Sequence, residues 1–158
     1  MYFSTSDSRL RTYNYRLSTF MTWICPICNR EFSATNQVHS CRERNLGDFL
    51  QVKSDYTVEL FDHFITEYLQ IAPIKVYPTK SMIAIGDRVN FAYVTQLGKN
   101  FIDVVFPFNE IYEDNLCFTK IKTVPGTNDH NHYFRMYFKE DLNDEVRKYM
   151  KMAWEKGK

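Results

Sequence analysis

An α+β fold, in which an antiparallel sheet is flanked by an N-terminal and a C-terminal helix, is predicted by three features of the sequence. Residues 54–72 carry apolar side chains at helical spacing. Residues 74–138 hold a succession of short β-prone segments separated by turn residues, and from about residue 141 the helical spacing returns. Strands gathered between two helices, with no strand–helix alternation, pair with one another in a single antiparallel sheet. The 158 residues suit one ordinary domain with something small beside it. With 13 Phe and 11 Tyr, the chain has the aromatic content of a packed globule and not of a disordered one. Its formal net charge of +1 gives no global field, so binding to nucleic acid or anionic lipid would need a local patch.

Residues 1–22 are rich in Ser, Thr and Arg, lack a sustained period and read as a flexible extension; Met21 stands as an alternative start of translation. Residues 23–45 are the segment whose residue types require a chemical explanation. Cys25 and Cys28 are separated by two residues, the spacing at which a tight turn presents two thiolates to one ion, and His39 and Cys41 complete a Cys3His set. Pro26 presets the backbone after the first thiol, and Asn29 and Arg30 end a short hairpin in which Phe32 can cover the metal. A thioredoxin-like redox motif would need a surrounding βαβ pattern that the sequence lacks. A disulfide would leave one of these three cysteines over, and the chain reads as lacking a secretory signal. The segment is therefore expected to hold a structural Zn2+, because a closed four-ligand site keeps no position for a reacting water.

Residues 48–157 form the predicted α+β domain. Asn45 and Gly47 lead to Asp48, Phe49 and Leu50, read as a short connection with a hydrophobic anchor. Ser54 is a plausible N-cap for a helix whose apolar positions Val58, Phe61, Ile65 and Tyr68 recur at helical spacing, with Leu60, Phe64 and Leu69 beside them, and Pro73 ends it. Strands are expected over 74–77, 82–85 and 89–94, the last two joined by the turn residues Gly86, Asp87 and Arg88. Leu97–Asn100 is a further turn before the apolar run Phe101–Phe108. In 117–124, Lys120 and Lys122 fall on one face and Ile121 on the other, the alternation of a sheet with one wet side. Pro125–Asp129 is a loop and 132–138 the returning strand. A last helix is expected from Asp141, burying Leu142, Val146, Tyr149, Met150, Ala153 and Trp154, with Asp141, Asp144 and Glu145 in its first turn.

Several motifs together resemble the domain of unknown function 5655 family, in the variant with a zinc-finger-like segment in front. They are Trp23-Ile24-Cys25-Pro26-x-Cys28 through His39-Ser40-Cys41, Val58–Asp62, Pro78-Thr79-Lys80-Ser81-x-Ile83, Arg88–Ala92, His132–Met136, and Asp141-Leu142-x-Asp144-Glu145 ending in Ala153-Trp154. The resemblance spans residues 23–157. Its members occur alone or behind nuclease-like domains, which implies an accessory role in nucleic-acid metabolism, and no activity is established for them.

Thr79, Lys80, Arg88, His132 and Arg135 match motifs of that family and are polar positions that packing does not demand. Convergence of Lys80, Arg88 and Arg135 would make a pocket for a phosphate or carboxylate, with His132 and Tyr93 as hydrogen-bonding partners. Around the metal segment, Arg30, Arg42 and Arg44 with Trp23 and Phe32 offer phosphate contacts and a stacking surface, diluted by Glu31 and Glu43. Catalytic signatures are thin. There is no Gly-rich phosphate loop among five glycines and no His-Glu-x-x-His pair, and Cys117 has no adjacent base. A nuclease-related enzyme would place Asp103 on a metal, yet the strands after it lack the Asp/Glu-x-Lys triplet. The expectation is a zinc-binding, non-catalytic binding module for nucleic acid or for a protein partner. No apolar run approaches a membrane span, so a soluble, cytoplasmic protein without a membrane partner is expected; nothing sets its oligomeric state.

Overall fold

A computed structural model of the chain describes residues 23–26, 31–32 and 45–158. The chain divides into two units, Met1–Cys41 and Arg42–Lys158. In the first, two short strands, β1 (Trp23–Ile24) and β2 (Glu31–Phe32), pair antiparallel with Trp23 opposite Phe32 and Ile24 opposite Glu31.

The second unit is the predicted α+β fold. Its strands are β3 (Lys75–Pro78), β4 (Ile83–Gly86), β5 (Asn90–Leu97), β6 (Ile102–Phe108), β7 (Phe118–Thr123) and β8 (His130–Met136). Short turns make a meander of β3 to β6. β7 then takes the far edge and β8 returns between it and β6, giving the order β3-β4-β5-β6-β8-β7 with every neighbouring pair antiparallel. The β7–β8 turn requires Gly126, whose φ of 78° lies where a Cβ is strained.

Strict alternation fails in β5, and the reason is two extra residues. Ile85 faces Ala92 while Gly86 faces Asn90, leaving Phe91 as the additional residue; Val94 faces Val104 while Gln96 faces Asp103, leaving Thr95. Each bulge resets the parity, so Phe91, Val94 and Leu97 all reach the core although they do not share one period-two series. A third shift at Thr119 lets Phe118 and Ile121 face the same side while Lys120 and Lys122 face the other.

One face of the sheet is covered by helices. The first, α1 (Leu46–Leu50), is a single turn where the sequence reads only as a connection. Asn45 Oδ1 accepts from Asp48 N and Asp48 Oδ2 accepts from Asn45 N, both at 3.0 Å, and this reciprocal cap stabilises a helix too short to form by propensity. The second, α2 (Asp55–Ile71), is capped by Ser54 as expected. Its buried stripe is Thr57, Leu60, Phe61, Phe64 and Tyr68, whereas Leu69 is 56% exposed and Val58 and Ile65 are half-buried. The expected stripe through Val58 and Ile65 is therefore rotated toward Thr57 and Phe64.

The third helix, α3 (Asp144–Lys156), starts after the expected Asp141. Asn143 Oδ1 caps it by accepting from Val146 N at 3.0 Å, while Leu142 leaves helical geometry to bury its side chain. Asp141 closes a separate 3-10 turn over Lys139–Asp141 by accepting from the Tyr137 and Phe138 amides at 2.7 and 2.9 Å. Its signal was that of a cap, one turn too early. Trp154 is half-buried, and the fully buried positions of α3 are Val146, Tyr149, Met150 and Ala153. No helix among the described residues is long and apolar enough to cross a membrane.

Thr57 ties α2 to the β5–β6 turn. It is 0% exposed, and its hydroxyl donates to the Gly98 carbonyl at 2.7 Å beside the Ser54 hydroxyl, which donates to the Lys99 carbonyl. Thr57→Val keeps the volume and removes the donor, and we expect a loss of about 1–2 kcal/mol, read as a lower urea midpoint at unchanged slope. A midpoint equal to the parent's would show that the hydroxyl does not hold the turn.

Candidate functional site

Of the four expected zinc ligands, Cys25 is the one within the described residues. Ile24 lies opposite Glu31, and residues 25–30, which include Cys25 and Cys28, connect the two strands in sequence. Cys25 directly follows β1 and is 1% exposed. Cys28, His39 and Cys41 lie outside the described residues, as do Arg30, Arg42 and Arg44. Among the described residues, no group of three or more His, Cys, Asp or Glu is placed to hold a metal. The donor set of three thiols and an imidazole fits zinc by its chemistry.

The anion pocket expected from Lys80, Arg88, His132 and Arg135 does not assemble. Lys80 lies on the β3–β4 connection and Arg88 on the β4–β5 connection, at opposite ends of β4. His132 and Arg135 are three positions apart on β8, an odd separation that puts them on opposite faces of the sheet. His132 is 0% exposed on the helix side, with its ring 5.0–5.5 Å from those of Phe108, Tyr112 and Phe118. Nδ1–H donates to the His130 carbonyl at 2.9 Å, and Nε2 accepts from the Tyr112 amide at 3.1 Å. Both nitrogens are thus occupied in the neutral tautomer, and burial lowers the pKa below its ordinary value.

Arg135 is engaged as well. Its Nε and Nη2 donate to Asp103 Oδ1 and Oδ2 at 2.6 and 2.7 Å, and its guanidinium lies 4.1 Å from the Phe101 ring centroid. The hydrogen bond with Asp103 holds the guanidinium in its charged form. The same bidentate pair occupies the carboxylate that a nuclease-type metal site would have used. Cys117 is similarly quiet: burial, reinforced by Glu145, pushes its thiol up to about 12, which leaves little thiolate at neutral pH.

A different set of residues is brought together, on the face opposite the helices. Tyr77, Ala84, Tyr93, Val105, Tyr133 and Lys120 stand directly opposite one another, in that order, across the six strands. Ala84 and Val105 are buried, and the tyrosines between and beside them are partly exposed. Tyr77 donates its hydroxyl to Asn90 Oδ1. At the other end of the row, Lys120 Nζ lies 4.3 Å from the Tyr133 ring centroid, and Lys122, opposite Asn131, is exposed next to it. The two lysines on one face of β7 are legible in the sequence. Their alignment with Tyr133 and Tyr93 is not, because it depends on β8 inserting between β6 and β7 and on the bulges that set the register.

Comparison of the chain with protein-family models, with curated proteins and with solved structures yields no match.

Proposed function

We propose that the protein is a non-catalytic binding module whose N-terminal hairpin holds a structural zinc ion through Cys25, Cys28, His39 and Cys41, and that it serves nucleic-acid metabolism. The observation that supports this reading is the antiparallel pairing of β1 with β2, between which the sequence sets Cys25 and Cys28. A closed four-ligand zinc contributes folding free energy and keeps no position for a reacting water. The binding character is supported by the state of the residues best suited to catalysis: His132 has both nitrogens engaged in the core, Cys117 is held as a thiol, and Asp103 is paired with Arg135.

Elemental analysis of the purified protein tests the metal. One zinc per chain is expected, with loss of the ion in a Cys25→Ser, Cys28→Ser variant that keeps the cooperative unfolding of the C-terminal unit. Protein purified without chelator that contains no zinc would end this reading.

A further inference from the structure

We propose that the face of the sheet opposite the helices is a single-stranded nucleic-acid site, in which Tyr93 and Tyr133 stack bases and Lys120 and Lys122 contact phosphates. The inference rests on the protein being a binding module, but it needs neither the zinc ion nor the arginines beside it.

Tyr93 and Tyr133 both face Val105 from either side, so they project from the same face two strand spacings apart, about 10 Å. That separation gives each ring its own base. Every base has a π-face, so a pair of aromatic rings on a sheet accepts a strand without reading its sequence. Duplex DNA or RNA keeps its bases stacked on one another and cannot use such rings.

Charge selects the ligand. The carboxylate on this face, Asp103, is held by Arg135, and Asp87 at the end of β4 lies 3.3 Å from Lys75. Lys120 and Lys122 are left as the excess charge of the face among the described residues, both exposed and both on β7. They stand on one line along the strand, two residues or roughly 7 Å apart, close to the spacing of successive phosphates in an extended strand. Lys120 already lies over the Tyr133 ring, so a base arriving on that ring releases the ammonium toward the phosphate beside it. An acidic peptide would satisfy the lysines but leave the tyrosine pair unused.

The test is fluorescence anisotropy with a labelled oligothymidine of about 12 nucleotides, its RNA counterpart and a duplex of the same length, at low and moderate salt. The intact protein is expected to bind the single strands and to prefer them to the duplex. Lys120→Ala, Lys122→Ala is expected to weaken binding at low salt and to reduce the salt slope by about 1.4, the value for two phosphate contacts. Tyr133→Ala should weaken binding roughly 5- to 100-fold with the slope unchanged. Urea midpoints and zinc content are measured on every variant, so that loss of the fold or of the metal is distinguished from loss of this site.

Absence of single-strand binding at protein concentrations of about 100 μM overturns the proposal. So does binding that survives the sheet substitutions but is lost on replacing Arg30, Arg42 and Arg44, which would assign it to the arginines around the zinc segment. Equal affinity for the duplex also overturns it, as does a dimer that Tyr93→Ala and Tyr133→Ala dissolve, which would make the face a contact with a second copy.

Discussion

Tyr68→Ala is expected to lower the stability of the C-terminal unit by about 3–5 kcal/mol. Tyr68 is 0% exposed, and its ring packs edge-on against Phe64 at 5.6 Å and tilted against Phe91 at 5.5 Å. It therefore joins α2 to β5, while its hydroxyl donates to the Met150 carbonyl at 2.8 Å and joins α2 to α3. Burial drives its pKa well above the ordinary value, so the phenol stays a donor through the neutral range. Tyr68→Phe separates the two contributions: it keeps the ring and loses the hydrogen bond, for about 1 kcal/mol. Urea unfolding of the three proteins reads both numbers. Similar losses for Phe and Ala would mean that the hydroxyl, not the ring, holds the helices together.

His132 carries the second large effect, and it has a pH signature. Replacing it with alanine leaves a cavity among Phe108, Tyr112 and Phe118 and strips the His130 carbonyl and the Tyr112 amide of their partner, a combined loss of roughly 2–4 kcal/mol. The sign of the pH dependence follows from the lowered pKa. Above the ordinary value of 6.5 both folded and unfolded chains are neutral at this residue and its contribution to stability is whole. Below 6.5 the unfolded chain takes up a proton that the folded site refuses, so stability falls with pH until the folded site itself protonates. One proton limits the slope to about 1.4 kcal/mol per pH unit. Urea midpoints between pH 5 and 8 should therefore drop on the acid side in the parent protein and drop less in His132→Gln. An unchanged acid limb in the variant would place the sensitivity elsewhere.

Much of the C-terminal unit is legible in the sequence because its signals are local. The Ser54 cap, the apolar spacing of 54–72, the Gly86-Asp87-Arg88 turn, the Pro125-Gly126 loop and the division of Lys120 and Lys122 from Ile121 all depend on neighbours within a few residues. The misplacements have equally local causes. Asp141 has the chemistry of an N-cap and uses it on a 3-10 turn, and the Asn45–Asp48 capping box is an Asn-x-x-Asp variant of a signal usually read with Ser or Thr and Glu. The anion pocket failed for two different reasons. That His132 and Arg135 take opposite faces follows from strand parity alone, whereas the separation of Lys80 from Arg88 follows from the length of β4 between them. The tyrosine and lysine row lay beyond sequence reading, since its alignment is created by the strand order and by bulges at Phe91, Thr95 and Thr119.

The claim on which the functional reading turns is that Cys25, Cys28, His39 and Cys41 bind one ion, and X-ray absorption at the zinc edge measures that ligand set directly. The expected first shell is three sulfurs at about 2.3 Å and one nitrogen at about 2.0–2.1 Å. A shell of oxygen and nitrogen without sulfur, or of four sulfurs and no imidazole, would contradict the assignment.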